Sequence, residues 1–221
     1  MNADQPLFVR VYEYMADHAD ELLGLVGDHL AMVFCGLALA LVVGIPLGIL
    51  CLRSEKLAAA ILGAANVIQV LPSLALLALL MLALGLGFNT MVVGLFLYSL
   101  LPIIRNTYVG LKQLDRNLVE AGRGVGMSAI QLLVKVQIPL ALPFIMAGLR
   151  VAAVIAIGVA TLAPLIGGEG LGRVIYSGLN MRNDVKIYAG AIPAAVLAIL
   201  ADTLLGWLQG RFRKGSRAAE A

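Results

Sequence analysis

Glu120 to Pro143 reads EAGRGVGMSAIQLLVKVQIPLALP. It is the longest stretch that does not read as a membrane helix, and apolar runs lie on both sides of it. Arg123 and Lys135 charge it, Gly122, Gly124 and Gly126 alternate through its first third, and Pro139 and Pro143 close it. Such a stretch is expected outside the lipid, on the side where basic residues collect.

The surrounding composition supports that reading. Of 221 residues, 61% are apolar and 13% charged, and the mean hydropathy is +0.96. A soluble domain carries about 25% charge. Helices that satisfy their own backbone hydrogen bonds in lipid explain the difference. The 24 glycines suit close helix–helix approach. The expected fold class is therefore an all-α integral membrane protein.

Five spans are expected, at about His29–Leu52, Leu57–Leu84, Thr90–Ile104, Phe144–Ile166 and Ile187–Trp207. The second is long and contains Pro72, which removes a backbone donor. Asn66, Gln69 and Ser73 lie near that proline at three- and four-residue spacing, which places them on one helix face. Polar groups in a span face protein or water, so these three line either a pathway or a helix–helix contact. Before the first span, Phe8, Tyr12, Met15, Ala19, Leu22 and Val26 recur at helical steps. Residues 1–27 are read as an amphipathic surface segment, 28–208 as the transmembrane domain with a loop at 105–139, and 209–221 as a basic tail.

Orientation follows the distribution of lysine and arginine. With the C-terminus inside, the inner segments hold Arg53, Lys56, Arg105, Lys112, Arg116, Arg123, Lys135, Arg211, Arg213, Lys214 and Arg217. The outer ones hold Arg10, Arg173, Arg182 and Lys186. The N-terminus, rich in acids at Asp4, Glu13, Asp17, Asp20 and Glu21, is then outside.

Several chemistries are excluded. The glycines at 122, 124 and 126 lack the Gly-Lys-Ser/Thr of a Walker loop and the preceding strand of a dinucleotide loop. No nucleophile–base pair or paired carboxylates stand out, so no enzyme activity is expected. His18 and His29 have no partners at metal spacing. Cys35 and Cys51 are about 24 Å apart on one helix, beyond disulfide reach. No basic-and-aromatic surface for nucleic acid is visible. Arg150 and Asp202 are charges near one end of the last two spans, for which snorkelling or mutual pairing suffices.

Glu120-Ala121-Gly122, Gly126, and Val136-Gln137-Ile138-Pro139 resemble the EAA motif of permease subunits in binding-protein-dependent ABC importers. That motif runs Glu-Ala-Ala, three residues, Gly, nine residues, Ile, any residue, Leu-Pro. The departures are Gly122, Val136 and Ile138, of which Gly122 loosens a helix by up to ~1 kcal/mol relative to alanine. The resemblance implies a type I ABC importer permease fold in the bacterial plasma membrane. It assigns Glu120, Ala121, Gly122, Gly126 and Pro139 to coupling: a short helix around Leu118–Val125 docks on a separate ATPase subunit, Gly126 lets the chain turn, and Pro139 starts the return to the membrane. ATP is then used by the partner, and no cofactor is bound by this chain. A second permease subunit and an extracytoplasmic solute-binding protein complete the assembly. Nucleotide-driven closure of the ATPases shifts the membrane halves between inward and outward openings.

The runs Asn66–Ala78 and Leu101–Thr107 look like the osmoprotectant branch, which imports glycine betaine, choline or carnitine. Methionine-type permeases share the length and span count and are the nearest alternative. A gradient-driven transporter would often show inverted repeats and an ion site, and neither is visible. A scaffold without a pathway leaves the Asn66–Ser73 face unexplained. Quaternary ammonium is commonly held by an aromatic cage, yet Trp207 is the single tryptophan. Selectivity is therefore expected in the binding protein.

Overall fold

Lipid leaves a chain of this composition few options, and helices supply the answer here. The computed structural model describes residues 5–218, and among them there is no strand. The helices are α1 (Leu7–Asp17), α2 (Ala19–Leu50), α3 (Glu55–Val70), α4 (Ser73–Leu84), α5 (Phe88–Lys112), α6 (Arg116–Gly124), α7 (Ala129–Leu132), α8 (Ile138–Ala160), α9 (Gly172–Met181) and α10 (Asp184–Ala218). A 3₁₀ turn, Cys51–Arg53, extends α2, and a π turn, Leu133–Gln137, joins α7 to α8.

Four described helices are long and apolar enough to cross a bilayer: Ala19–Arg53, Phe88–Lys112, Ala129–Ala160 and Asp184–Phe212. The fifth expected span is a pair, α3 and α4, bent by 99° at Leu71-Pro72. Both halves pack along α5. Ala58 and Ala65 of α3 cluster with Leu100, Leu101 and Ile104. Leu77 of α4 fits over Gly94, where a Cβ would lie 2.5 Å from its methyl. The Tyr98 hydroxyl donates to the Leu71 carbonyl, opposite the break. α3 thus meets α5 between Tyr108 and Leu100, α4 meets it at Gly94, and the break lies at Tyr98, near the middle of α5.

α5 is the hub, packed by α2, α8, α3 and α4. Gly36, Gly44 and Gly48 of α2 face Leu95, Ile103 and Thr107, and a Cβ on any of them would come within 2.8 Å of those side chains. Small residues let backbones approach where apolar surface gains nothing from leaving lipid. Met32, Leu77, Met91, Leu95, Ile157 and Ile166 form the main core.

Several expected boundaries shift. The helix that carries the first expected span begins at Ala19, ahead of His29, with Asp20 and Glu21 in its first turn, where the helix dipole favours carboxylates. The third runs to Lys112, not Ile104. The fourth helical run starts at Ala129 and ends at Ala160, so Pro139 and Pro143 lie inside it. The loop expected at 105–139 is therefore helical over much of its length. α9 occupies part of the segment between the fourth and fifth expected spans. In α1 the buried residue is Val11, while Phe8 and Tyr12 of the expected apolar stripe are 75% and 74% exposed. Of the expected tail, α10 reaches Ala218; residues 219–221 and the side chains of Arg213, Lys214 and Arg217 lie outside the described residues, as does Asp4.

One end of the bundle gathers α1, α9 and the turns at 85–87 and 167–172, joined by the Gly87 amide donating to the Ile166 carbonyl at 2.8 Å. The opposite end carries Arg53, Ser54, Glu55, Lys112 and the elbow of α6 and α7. There Lys112 lies 3.7 Å from Glu55, and the Ser54 hydroxyl caps α3.

Candidate functional site

α6 begins where Asp115 accepts a hydrogen bond from the Asn117 amide at 2.9 Å. It ends at Gly124 in a Schellman arrangement. The Met127 amide donates to the Gly122 carbonyl at 3.1 Å and the Gly126 amide to the Arg123 carbonyl at 2.9 Å. Gly126 takes φ +82°, a conformation that costs an L side chain roughly 1–2 kcal/mol. Space is not the constraint, since a Cβ at Gly126 meets no atom within 4 Å.

Chain reversal after Gly126 is fixed by a capping box. The Gln131 amide donates to the Ser128 hydroxyl at 3.3 Å, and the Ser128 amide donates to the Gln131 side-chain oxygen at 2.9 Å. Leu132 folds back on α6, and a Cβ at Gly122 would lie 2.6 Å from its Cδ1. Gly122 is thus buried, whereas Glu120, Ala121, Arg123 and Gly124 are exposed. Val125 and Ile130 are 76% and 74% exposed at the same elbow.

The geometry accounts for glycine at 122. Gly122→Ala is expected to leave the melting temperature of the purified protein nearly unchanged, because ~1 kcal/mol of helix propensity is set against moving the flexible end of Leu132. A large drop by thermal denaturation in detergent would show that Leu132 has no alternative position.

Pro139 lies at the second position of α8 and is exposed. It does not begin the helix, because the π turn precedes it with the Ile138 amide donating to the Leu133 carbonyl. That five-residue bond sits just before the proline, whose missing amide would break an α ladder. The helix therefore continues through Pro139 rather than starting there.

The proposed pathway residues flank the break. Asn66 is exposed and Gln69 half-buried on α3, while Ser73 is the first residue of α4. They do not share one continuous face, since the 99° bend separates Ser73 from the other two. The Gln69 side-chain oxygen is buried without a hydrogen-bond partner.

Two polar features draw attention beyond these. Arg150 and Asp202 pair side-on between α8 and α10, Nε to Oδ1 at 2.5 Å and Nη2 to Oδ2 at 2.6 Å. His29 is fully buried in α2 with Nε2 3.1 Å from the Ile157 carbonyl. A carbonyl only accepts, so Nε2 donates, which ties α2 to α8. In the sequence His29 is a lone histidine at the start of an apolar run, and that position is the signal for a buried, backbone-bonded ring. Among the described residues no cluster of histidine, cysteine or carboxylates has metal-binding geometry.

A bundle of apolar helices around α5, with a broken span packed on it and a polar elbow at one end, has the architecture of a membrane permease. Its fold is that of type I ABC importer permeases. A subunit of the MetNI methionine ABC transporter in an inward-facing conformation superposes with a TM-score of 0.78 over 86% of this chain and 95% of that one, at 21% identity. The chain belongs to the family of binding-protein-dependent transport system inner membrane components, matching it over residues 40–216. It is thus a multi-pass inner-membrane permease subunit. It is 50% identical over 182 residues to the carnitine transport permease protein OpuCD of Listeria monocytogenes, covering 82% of each chain. It is 47% identical over 197 residues to the choline transport system permease protein OpuBD of Bacillus subtilis, covering 89% of this chain and 87% of that one.

Proposed function

We propose that this chain is the permease subunit of an ATP-driven importer for osmoprotectants such as glycine betaine, choline or carnitine. The observation that carries the substrate class is identity near one half with relatives named for those solutes, over more than four-fifths of the chain. The likeness to the methionine transporter, at 21%, is one of fold alone.

In this reading the elbow faces the cytoplasm, the N-terminus lies outside and the C-terminus inside. A separate ATPase subunit grips α6, a second permease subunit completes the pathway, and a solute-binding protein delivers from outside. ATP is hydrolysed on the partner. Glu120 and Ala121 are offered to that partner on the exposed side of α6. Gly122 keeps the helix seated on Leu132, and Gly126 ends it. Val125 and Ile130 add exposed apolar surface beside the charged helix, the mixture that a protein partner covers. Asn66, Gln69 and Ser73 line the route of the solute at the broken span, where a helix break leaves backbone polar groups facing a cavity rather than lipid.

Two measurements test this together. In proteoliposomes holding the permease, its ATPase and its binding protein, ATP is expected to drive uptake of labelled glycine betaine, choline or carnitine. In a variant with Cys35 and Cys51 replaced, a cysteine at Arg123 is expected to react with impermeant maleimide only from the cytoplasmic side. Labelling from outside would remove the ATPase from the elbow; uptake without ATP would remove the importer assignment itself.

A further inference from the structure

Arg150 is the single charged residue of α8, and Asp202 the single one of α10 between Lys186 and Arg211. Their side-on pairing engages Nε and one edge of Nη2. A guanidinium has five N–H donors, so three stay unspoken for, including both on Nη1. That nitrogen points at Gly206, where a Cβ would lie only 2.9 Å away. Gly206 is one turn beyond Asp202, about 6 Å further along α10.

Here a polar cavity of about 300 Å³ opens, lined by Arg150, Gly206, Gln209 and Gly210. The two glycines leave its floor as bare backbone. One residue from Gly206, Trp207 is 53% exposed, and the Arg211 guanidinium lies over its ring at 4.2 Å. A tryptophan and an arginine at the end of a span mark the headgroup layer, which places the cavity there. Arg150 is rooted deeper and reaches towards that layer, as long cationic side chains do. Above it on the same side of α10, Ile192, Val196 and Ile199 present an exposed apolar strip.

We propose that this cavity is a binding site for the phosphate of an anionic membrane phospholipid. The phosphate accepts hydrogen bonds from the free edge of Arg150 and from the Gln209 amide, and the acyl chains lie on the strip above. Asp202 holds the guanidinium plane in place, and Arg211, stacked on Trp207, adds positive charge to the same headgroup layer outside the cavity lining. Planar guanidinium and tetrahedral phosphate pair through two parallel bonds. The site does not depend on which face of the membrane it occupies.

The test variant is Gly210→Leu. A Cβ at Gly210 meets nothing within 4 Å, so leucine fills the cavity while leaving the Arg150–Asp202 pair alone. The purified complex with its ATPase is titrated with phosphatidylglycerol and with diacylglycerol, which has the same tails and no phosphate, and bound lipid is counted by native mass spectrometry. Phosphatidylglycerol is expected to be retained and diacylglycerol not, and Gly210→Leu is expected to weaken phosphatidylglycerol by about tenfold. Equal binding of both lipids, or unchanged binding in Gly210→Leu, overturns the proposal. A third arm uses inorganic phosphate: if it shields Arg150 from phenylglyoxal as well as the lipid does at equal concentration, the ligand is the free anion and the lipid site fails.

Discussion

Gly126→Glu is expected to lower ATP-driven uptake by about tenfold or more, the scale of a coupling energy between two sites, while membrane insertion and ATP hydrolysis stay near wild type. Two features of the elbow make the effect local. Gly126 closes α6 with φ +82°, so a side chain there costs about 1–2 kcal/mol, too little to unfold a bundle centred on α5. No atom lies within 4 Å of the added Cβ, so the glutamate projects outward, beside exposed Val125 and Ile130. An ATPase docked on this surface meets both a re-aimed helix end and a new negative charge. Gly126→Asn separates the two, because asparagine tolerates the left-handed conformation and adds no charge. Uptake in Gly126→Asn is expected to fall much less than in Gly126→Glu. If Gly126→Glu transports like wild type, the elbow is not where the ATPase acts.

The reach of sequence reasoning is clearest at the same elbow. The EAA resemblance implied a short helix around Leu118–Val125 with a turn at Gly126, and α6 with its Schellman stop stands there, a local device whose requirements lie within six residues. Other features depended on partners far along the chain. Pro72 announced an interruption in the second span, yet the 99° angle is set by Tyr98 holding the Leu71 carbonyl and by Leu77 lodging over Gly94. Consequently the single face expected for Asn66, Gln69 and Ser73 did not survive the bend. The helices outrun the expected spans where charge or proline stands at the boundary. Asp20 and Glu21 in fact favour the start of α2, and a π turn carries the helix past Pro139. The Arg150–Asp202 pair was foreseeable because two lone charges in apolar helices have few alternatives. The bond from His29 to Ile157 was not, since a backbone carbonyl leaves no signature in sequence.

The largest effect on stability is expected from Gly172→Ala. Gly172 opens α9 directly beneath the end of α8, and a Cβ placed on it would lie 1.9 Å from the Thr161 carbonyl oxygen, 2.7 Å from its carbon and 3.0 Å from Pro164 Cδ. The obstruction is backbone and a proline ring, neither of which can rotate aside. The turn would have to move by about 1 Å, a strain of about 3 kcal/mol. That turn is crossed by the bond from Gly168 to the Ala163 carbonyl and followed at once by Leu171, which is fully buried. Shifting it pulls at the cluster in which Leu171 and Val174 pack against Leu22, Leu25 and Ala189, so α2, α9 and α10 loosen together. The proper control is Gly158→Ala, on α8 a turn before Thr161, where a Cβ meets nothing within 4 Å; alanine there is expected to hold or raise the melting temperature through helix propensity. A methyl group added at two glycines fourteen residues apart should therefore produce opposite outcomes in thermal denaturation of the detergent-solubilised protein. Equal melting temperatures would mean that α9 does not sit against the end of α8, and with it the seal of this end of the bundle would have to be rebuilt.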